Sequence, residues 1–323
     1  MVFWLHYPGI IKPWIKGDFQ TTLFEKHKLP SPTGISAVII RYHESMSLLT
    51  EICNYLQTYF GNPPHTPLFI VKEDELLREK DLLFLVRDIT HQIVGTLRYR
   101  FVGQLLTSSM PDIYRVDAFC IHPSWRGKGV GDYLLIQLHC YANEKGIPYA
   151  MFLKEGLSLS ISNSPFYTGQ YVYRHLFRPI INSLNVHTIS IHYAHKLLDI
   201  YHTIYPQVCI IRNQYSPQIW RIYKKGYDFI LACFQDTYQK MNDGGKMGWC
   251  TAWLESSIIT ENSRREAAIE ITDSLWNIFD YIWIDKKRVG NDFSLWKEDG
   301  YFHWYTYQWT TPYTVDPSFC IMD

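Results

Sequence analysis

The sequence predicts a mixed α/β (α+β) fold of two tandem lobes, each a twisted mixed sheet flanked by helices. Three observations carry this expectation. A strand, a basic glycine turn and an amphipathic helix follow one another over residues 115–146. Strand and helix patterns alternate through the first half of the chain, and the same rhythm returns in the second half without a second such turn. At 323 residues with 47% hydrophobic content, the chain has material for about two domains of ~150 residues. The expected division is 1–180 and 181–323.

In order, residues 1–34 are rich in proline and glycine and read as an arm over the first lobe, with Phe3 and Trp4 as aromatic anchors. Residues 37–42 predict a short strand. Residues 43–60 predict a helix with Met46, Leu49, Ile52, Cys53 and Leu56 on one face. Residues 82–87 and 92–101 predict an antiparallel pair about a polar turn. Residues 116–121 are apolar apart from Asp117 and predict a buried strand that stops at Pro123. After the turn, Val130, Leu134, Leu138 and Tyr141 or Ala142 recur at helical spacing, and Gly146 ends that helix. A strand is predicted at 149–153.

The second half is predicted as a helix at 195–205, a connecting segment at 218–223, a strand at 228–234 and a tight turn at 242–245. Ser263 followed three residues later by Glu266 predicts a capping box opening a helix through 278. Strands follow at 279–284 and 301–309.

The turn after Pro123 reads Arg126-Gly127-Lys128-Gly129-Val130-Gly131. Glycines let backbone N–H groups approach a ligand, a helix start adds partial positive charge, and Arg126 and Lys128 supply full charges. This chemistry fits a pyrophosphate. The turn lacks the Gly-Lys-Ser/Thr ending of a nucleotide P-loop and is not a Gly-x-Gly-x-x-Gly dinucleotide turn.

Lysine plus arginine equals aspartate plus glutamate at 31 each, which argues against a nucleic-acid binder. The seven cysteines are scattered and read as reduced thiols in a cytoplasmic protein. The histidines show no His-x-x-x-His zinc pattern, His187, His192 and His195 coming closest, so no metal is expected. No apolar run reaches ~18 residues and no signal-peptide core is present, so no membrane span is expected.

The pattern Phe119-Cys120-Ile121-His122-Pro123, followed by Arg126-Gly127-Lys128-Gly129-Val130-Gly131, resembles the coenzyme A motif of the GNAT acyltransferase superfamily. Further stretches, in order, resemble its two-lobed N-myristoyltransferase family. Phe3-Trp4 before Pro8 resembles the family's Phe-Trp-x-Thr-Gln-Pro arm. The stretch from Asp117 to Lys128 resembles Asn-Phe-Leu-Cys-Val-His-Lys-Lys-Leu-Arg-Ser-Lys. Pro165, Thr168, Tyr171, Arg174 and Leu176 match a family segment without a gap, as does the stretch from Asp299 to Trp309. Three features depart from the family, one being that its Tyr-Thr-Ala-Gly stretch is not recognisable around residues 151–156. Gly61-Asn62-Pro63-Pro64 stands where the family has an acidic run, and the turn is richer in glycine, as in ordinary acetyltransferases.

The resemblance implies an acyl-coenzyme A-dependent N-acyltransferase, with myristoyl-coenzyme A as donor and the N-terminal glycine of a protein as acceptor. Acetyl-coenzyme A on the same fold is the alternative, and a non-catalytic binding module is a third reading. It implies that Phe3, Trp4, Phe119, Cys120, Ile121 and residues Arg126, Gly127, Lys128, Gly129, Val130 and Gly131 hold the cofactor. The backbone of Ala118 and Phe119 would stabilise the carbonyl oxygen at a strand bulge. The C-terminal carboxylate at Asp323 would take the amine proton, with Asp117 as competing base. Tyr171 and Tyr173 are expected peptide contacts, though aromatic packing would also explain them. The protein is expected to act as a monomer.

Overall fold

A computed structural model of the chain describes residues 32–43, 45–60, 69–106, 110–147, 149–158, 165, 167–179, 183–206, 208–212, 217–256, 259–290 and 294–307. The first half contains β1 (Ile35–Ile40), α1 (Met46–Tyr59), α2 (Glu73–Leu76), β2 (Leu82–Asp88), β3 (Ile93–Leu105), β4 (Asp112–Ile121), α3 (Val130–Glu144), β5 (Ala150–Glu155) and β6 (Tyr167–His175). The second contains β7 (Val186–Ile189), α4 (Ile191–Ile204), β8 (Ile211–Arg212), β9 (Ile219–Lys225), β10 (Asp228–Lys240), β11 (Lys246–Glu255), α5 (Glu261–Asp273), β12 (Tyr281–Asp285) and β13 (Lys297–Tyr307).

The strands of both halves join in one mixed sheet in the order β1-β2-β3-β4-β5-β13-β6-β12-β11-β10-β9-β7, with β8 beside β3. The join is made by β13, the last strand in sequence, which inserts between β5 and β6. Strand alternation then sorts the side chains of the first half. Phe84, Leu97, Tyr99, Tyr114, Ala150 and Tyr305 face α3, whereas Leu83, Leu85, Ala118 and Cys120 face α1. Helix α3 buries Val130, Leu134, Leu138 and Ala142, each large side chain contributing about 1.5–3 kcal/mol. It sits close to β3 because Gly95 carries no side chain: a Cβ there would lie 3.0 Å from both Leu134 Cδ1 and Val130 Cγ1.

Three second-half expectations are corrected. Residues 218–223 are not a connection but the start of β9, paired with both β10 and β7. The helix α5 is not opened by Ser263 and Glu266. Its N-cap is Thr260, whose hydroxyl accepts from the Ser263 N–H at 3.1 Å, while Glu266 instead pairs with Lys225 on β9 at 2.5 Å. Nor does α5 run to 278; it ends at Asp273 and a series of turns follows. Strand β11 escaped the sequence pattern because it is buried on both faces and shows no polar alternation.

Candidate active site

The middle of β4 is bulged. Its register with β3 runs Arg98↔Asp117 and then Thr96↔Cys120, so β4 carries one extra residue there. Ala118 takes up the kink with φ of +45°, a conformation that costs an L-residue roughly 1–2 kcal/mol. The Thr96 hydroxyl holds it by donating to the Ala118 carbonyl at 2.9 Å, and the alanine side chain is buried in the cluster under α1.

The neighbouring strand moves away at the same level. The parallel ladder between β4 and β5 consists of Tyr114↔Ala150 and Arg115↔Met151. β5 pairs with β13 on its other edge along its whole length, and past Arg115 β4 keeps its ladder with β3 alone. The bulge therefore lies where two parallel strands splay. Phe119 and Ile121 pack on the α3 side, and Cys120 is buried on the α1 side.

Beyond β4, Pro123–Trp125 form a single 3-10 turn. Gly127 and Gly129 then adopt φ of +74° and +80°, which only glycine enters without cost. Gly129 is the N-cap of α3. Among the described residues, the backbone N–H groups of Gly127, Gly129, Val130 and Gly131 have no hydrogen-bond partner, as a helix start leaves them. Among the described residues there is room beside the two glycines: a Cβ on Gly127 would meet nothing within 4 Å, and one on Gly129 only Pro32 Cγ at 3.8 Å. Arg126 donates through Nε to the Ile121 carbonyl at 3.1 Å, tying the turn to the strand end. The Lys128 ammonium rests 5.3 Å from the centre of the Trp125 ring. Both cations are exposed. Four free N–H donors, a helix start and two exposed cations fit a pyrophosphate.

Asp117 is committed elsewhere. Its carboxylate accepts from Arg98 Nε at 2.5 Å and Nη2 at 3.0 Å and from Arg115 Nη2 at 3.2 Å. Burial favours its neutral form, but the charges of Arg98, Arg115 and Arg100 outweigh burial and hold the carboxyl well below the usual range. A carboxylate so stabilised is a poor proton acceptor, which weighs against Asp117 as competing base. Burial pushes the Cys120 thiol up to about 11, so it stays protonated near neutrality. Its carbonyl accepts from the buried Tyr55 hydroxyl at 3.4 Å.

The arginines were missed in the sequence although a signal was present. Arg98 and Arg100 stand two apart in β3, on one face of a buried strand. Arg98 also donates to the Leu76 carbonyl at 2.9 Å, and Arg100 to the Glu75 carbonyl at 3.3 Å.

Tyr171 is a core residue: it stacks on Trp283 with centroids 4.2 Å apart and meets Phe302 edge-on at 5.2 Å. Tyr173 is half-buried and edge-on to Tyr281. Among the described residues no group of histidine, cysteine and carboxylate side chains could hold a metal ion, and no helix is long and apolar enough to cross a membrane. Phe3, Trp4 and Asp323 lie outside the described residues.

Residues 49–167 match the acetyltransferase (GNAT) family model. No curated protein sequence matches the chain. Among solved structures, the chain is similar to Saccharomyces cerevisiae N-myristoyltransferase with bound myristoyl-CoA, with TM-score 0.65 and 11% identity over 98% of this chain and 95% of that one. A second structure of the yeast enzyme, with myristoyl-CoA and inhibitors, gives TM-score 0.62 and 12% identity, covering 96% and 88%. At such identity the likeness concerns the fold, and it extends beyond the GNAT stretch to almost the whole chain.

Proposed function

We propose that the protein is an acyl-coenzyme A-dependent N-acyltransferase, with myristate and a protein N-terminal glycine as the leading donor group and acceptor. The observation that carries this reading is the Ala118 bulge at the β4–β5 splay, one strand end away from a turn with four unpartnered N–H groups. The extension of the fold likeness over both halves favours the myristoyl version. The family model over 49–167 and the glycine-rich turn favour an acetyl donor as the second reading.

Coenzyme A would supply an activated thioester carbonyl. The N–H groups of Gly127, Gly129, Val130 and Gly131, with Arg126 and Lys128, would hold its pyrophosphate, and the backbone from Phe119 to Ile121 would lie along its pantetheine arm. The backbone at Ala118 and Phe119 would donate to the carbonyl oxygen as it gains charge, a contribution largest in a site that needs no reorganisation. The high thiol pKa of Cys120 supports direct transfer to the amine without a covalent enzyme intermediate. With Asp117 held as a carboxylate by arginines, the C-terminal carboxylate at Asp323 is the proposed proton acceptor. Desolvation would narrow the ~4-unit gap between a carboxyl and an α-amine.

Calorimetric titration with coenzyme A tests the site. The variant Arg126→Glu/Gly129→Glu should lose binding while remaining folded, and unchanged affinity would reject it. Competition between acetyl- and myristoyl-coenzyme A tests the donor. Each buried methylene adds up to ~0.8 kcal/mol, so equal affinities would favour the acetyl reading.

A further inference from the structure

One row of residues crosses four adjacent strands on the face of the sheet away from α3. The register Arg100↔Arg115, Arg115↔Met151 and Met151↔Thr306 puts these four side chains side by side on β3, β4, β5 and β13. Two residues along β13 from Thr306, Trp304 stacks on Trp249 of β11 with centroids 5.8 Å apart, and the Arg115 guanidinium lies 5.6 Å from the Trp249 ring centre.

This patch is under-bonded. Arg115 Nε, Trp249 Nε1, Trp304 Nε1 and Thr306 Oγ1 are all buried without a hydrogen-bond partner, four of the twelve such atoms among the described residues, while Arg100 Nε, also without a hydrogen bond, faces the Asp81 carboxylate. A buried donor left unpaired costs about 1–3 kcal/mol, so a concentration of them marks a place where a ligand completes the bonding. Three of these four atoms are donors only, so the missing partner is an acceptor. Its charge follows from the arginines. Arg98, Arg100 and Arg115 share two carboxylates, Asp117 and Asp81, the latter 3.6 Å from Arg100 Nε. One positive charge is left over among these five, and burial with repulsion from Arg98 and Arg78 pulls the Arg100 guanidinium down to about 9. The side chain of Arg115 remains 15% exposed, so the row meets solvent at that residue.

We propose that this row binds a carboxylate of the acceptor, so that the protein acylates amines that carry an anionic group. The proposal rests on the acyltransferase reading and names its acceptor class. Ala118 stands three residues from Arg115 on β4, about 10 Å along the strand. That distance is two to three residues of extended peptide. The carboxylate is therefore either the free terminus of a short glycyl peptide or an acidic side chain near the start of a longer one. Asp117 accepts from Arg115 Nη2 at 3.2 Å and fixes the guanidinium.

Thiol release from myristoyl- and acetyl-coenzyme A with a peptide panel tests this. Gly-Gly-Gly and its amide report on a terminal carboxylate; Gly-Ser-Glu-amide, Gly-Ser-Gln-amide and Gly-Ser-Lys-amide report on a side chain. In whichever pair applies, the carboxylate peptide should exceed its neutral partner by about 10–100-fold in kcat/KM, the range of a charge-assisted hydrogen bond. The Lys peptide should be poorest. Arg115→Met should bring the ratio toward one, and Arg115→Lys should restore part of it. If Arg115→Met does not fold, Trp249→Phe, which removes one donor and keeps the ring, should reduce the ratio severalfold. Tryptophan fluorescence of the whole chain, titrated with the preferred peptide without thioester, should saturate in the wild type and not in Arg115→Met. Normal turnover with equal rates for carboxylate and neutral peptides would overturn the carboxylate site while leaving the acyltransferase reading intact. Saturable, Arg115-dependent fluorescence with no turnover from any thioester would do the reverse.

Discussion

Replacing Asp117 by asparagine separates a structural carboxylate from a catalytic base. The variant keeps the side-chain shape and removes a charge that faces Arg98 Nε at 2.5 Å and Arg115 Nη2 at 3.2 Å. The Arg98 side chain is only 1% exposed, so it cannot turn to water, and the cluster gains an uncompensated charge. Breaking a buried pair from one side costs about 3–5 kcal/mol. At about 2.1 cal/mol/K per residue the unfolding entropy of 323 residues is roughly 0.7 kcal/mol/K, so a loss of ~4 kcal/mol lowers Tm by about 6 °C. The pH dependence has a definite sign. The folded carboxyl lies below its unfolded value, so its contribution is fully present above about pH 4 and fades as pH falls through the lower folded value. Urea melts at pH 7 and pH 3 measure both quantities, and the difference between wild type and Asp117→Asn should shrink at the lower pH. Thiol release at saturating acceptor should stay within about tenfold of wild type at a temperature where both are folded. A variant with wild-type Tm and a loss near the ~10²–10⁴ of a missing general base would refute the assignment and make Asp117 the proton acceptor.

Three further outcomes are expected. Ala118→Val places a β-branched side chain at φ +45° and should flatten the bulge, lowering kcat at least tenfold with coenzyme A affinity retained in calorimetry; unchanged kcat would remove the bulge from the mechanism. Asp323→Ala keeps the terminal carboxylate and should retain most activity, whereas several glycines added after position 323 should lower turnover ~10²–10⁴-fold. Normal turnover of the extended chain would exclude the terminal carboxylate. Cys120→Ala should remain active, since its thiol is held protonated at about 11, and a dead but folded variant would revive a covalent route.

The turn from Arg126 to Gly131 and helix α3 were legible because they are local. Positive φ calls for glycine at Gly127 and Gly129, and a helix with one buried face repeats its apolar residues every three to four positions. The antiparallel β2–β3 pair was legible for the same reason, its strands being separated by a short polar turn. Other features depend on partners distant in sequence. The bulge at Ala118 is a mismatch of count between β4 and β3, and no pattern within β4 alone reveals it; the resemblance pointed there, and the register located it. Glu266, expected to close a capping box with Ser263, instead meets Lys225 on another strand, while Thr260 caps α5. Asp117 looked like a base beside the bulge until Arg98 and Arg115 closed on it. The row from Arg100 to Thr306 exists only because the last strand of the chain inserts beside β5. Sequence determines what each segment prefers. Which charges and donors meet is set by strand order, which long-range pairing alone decides.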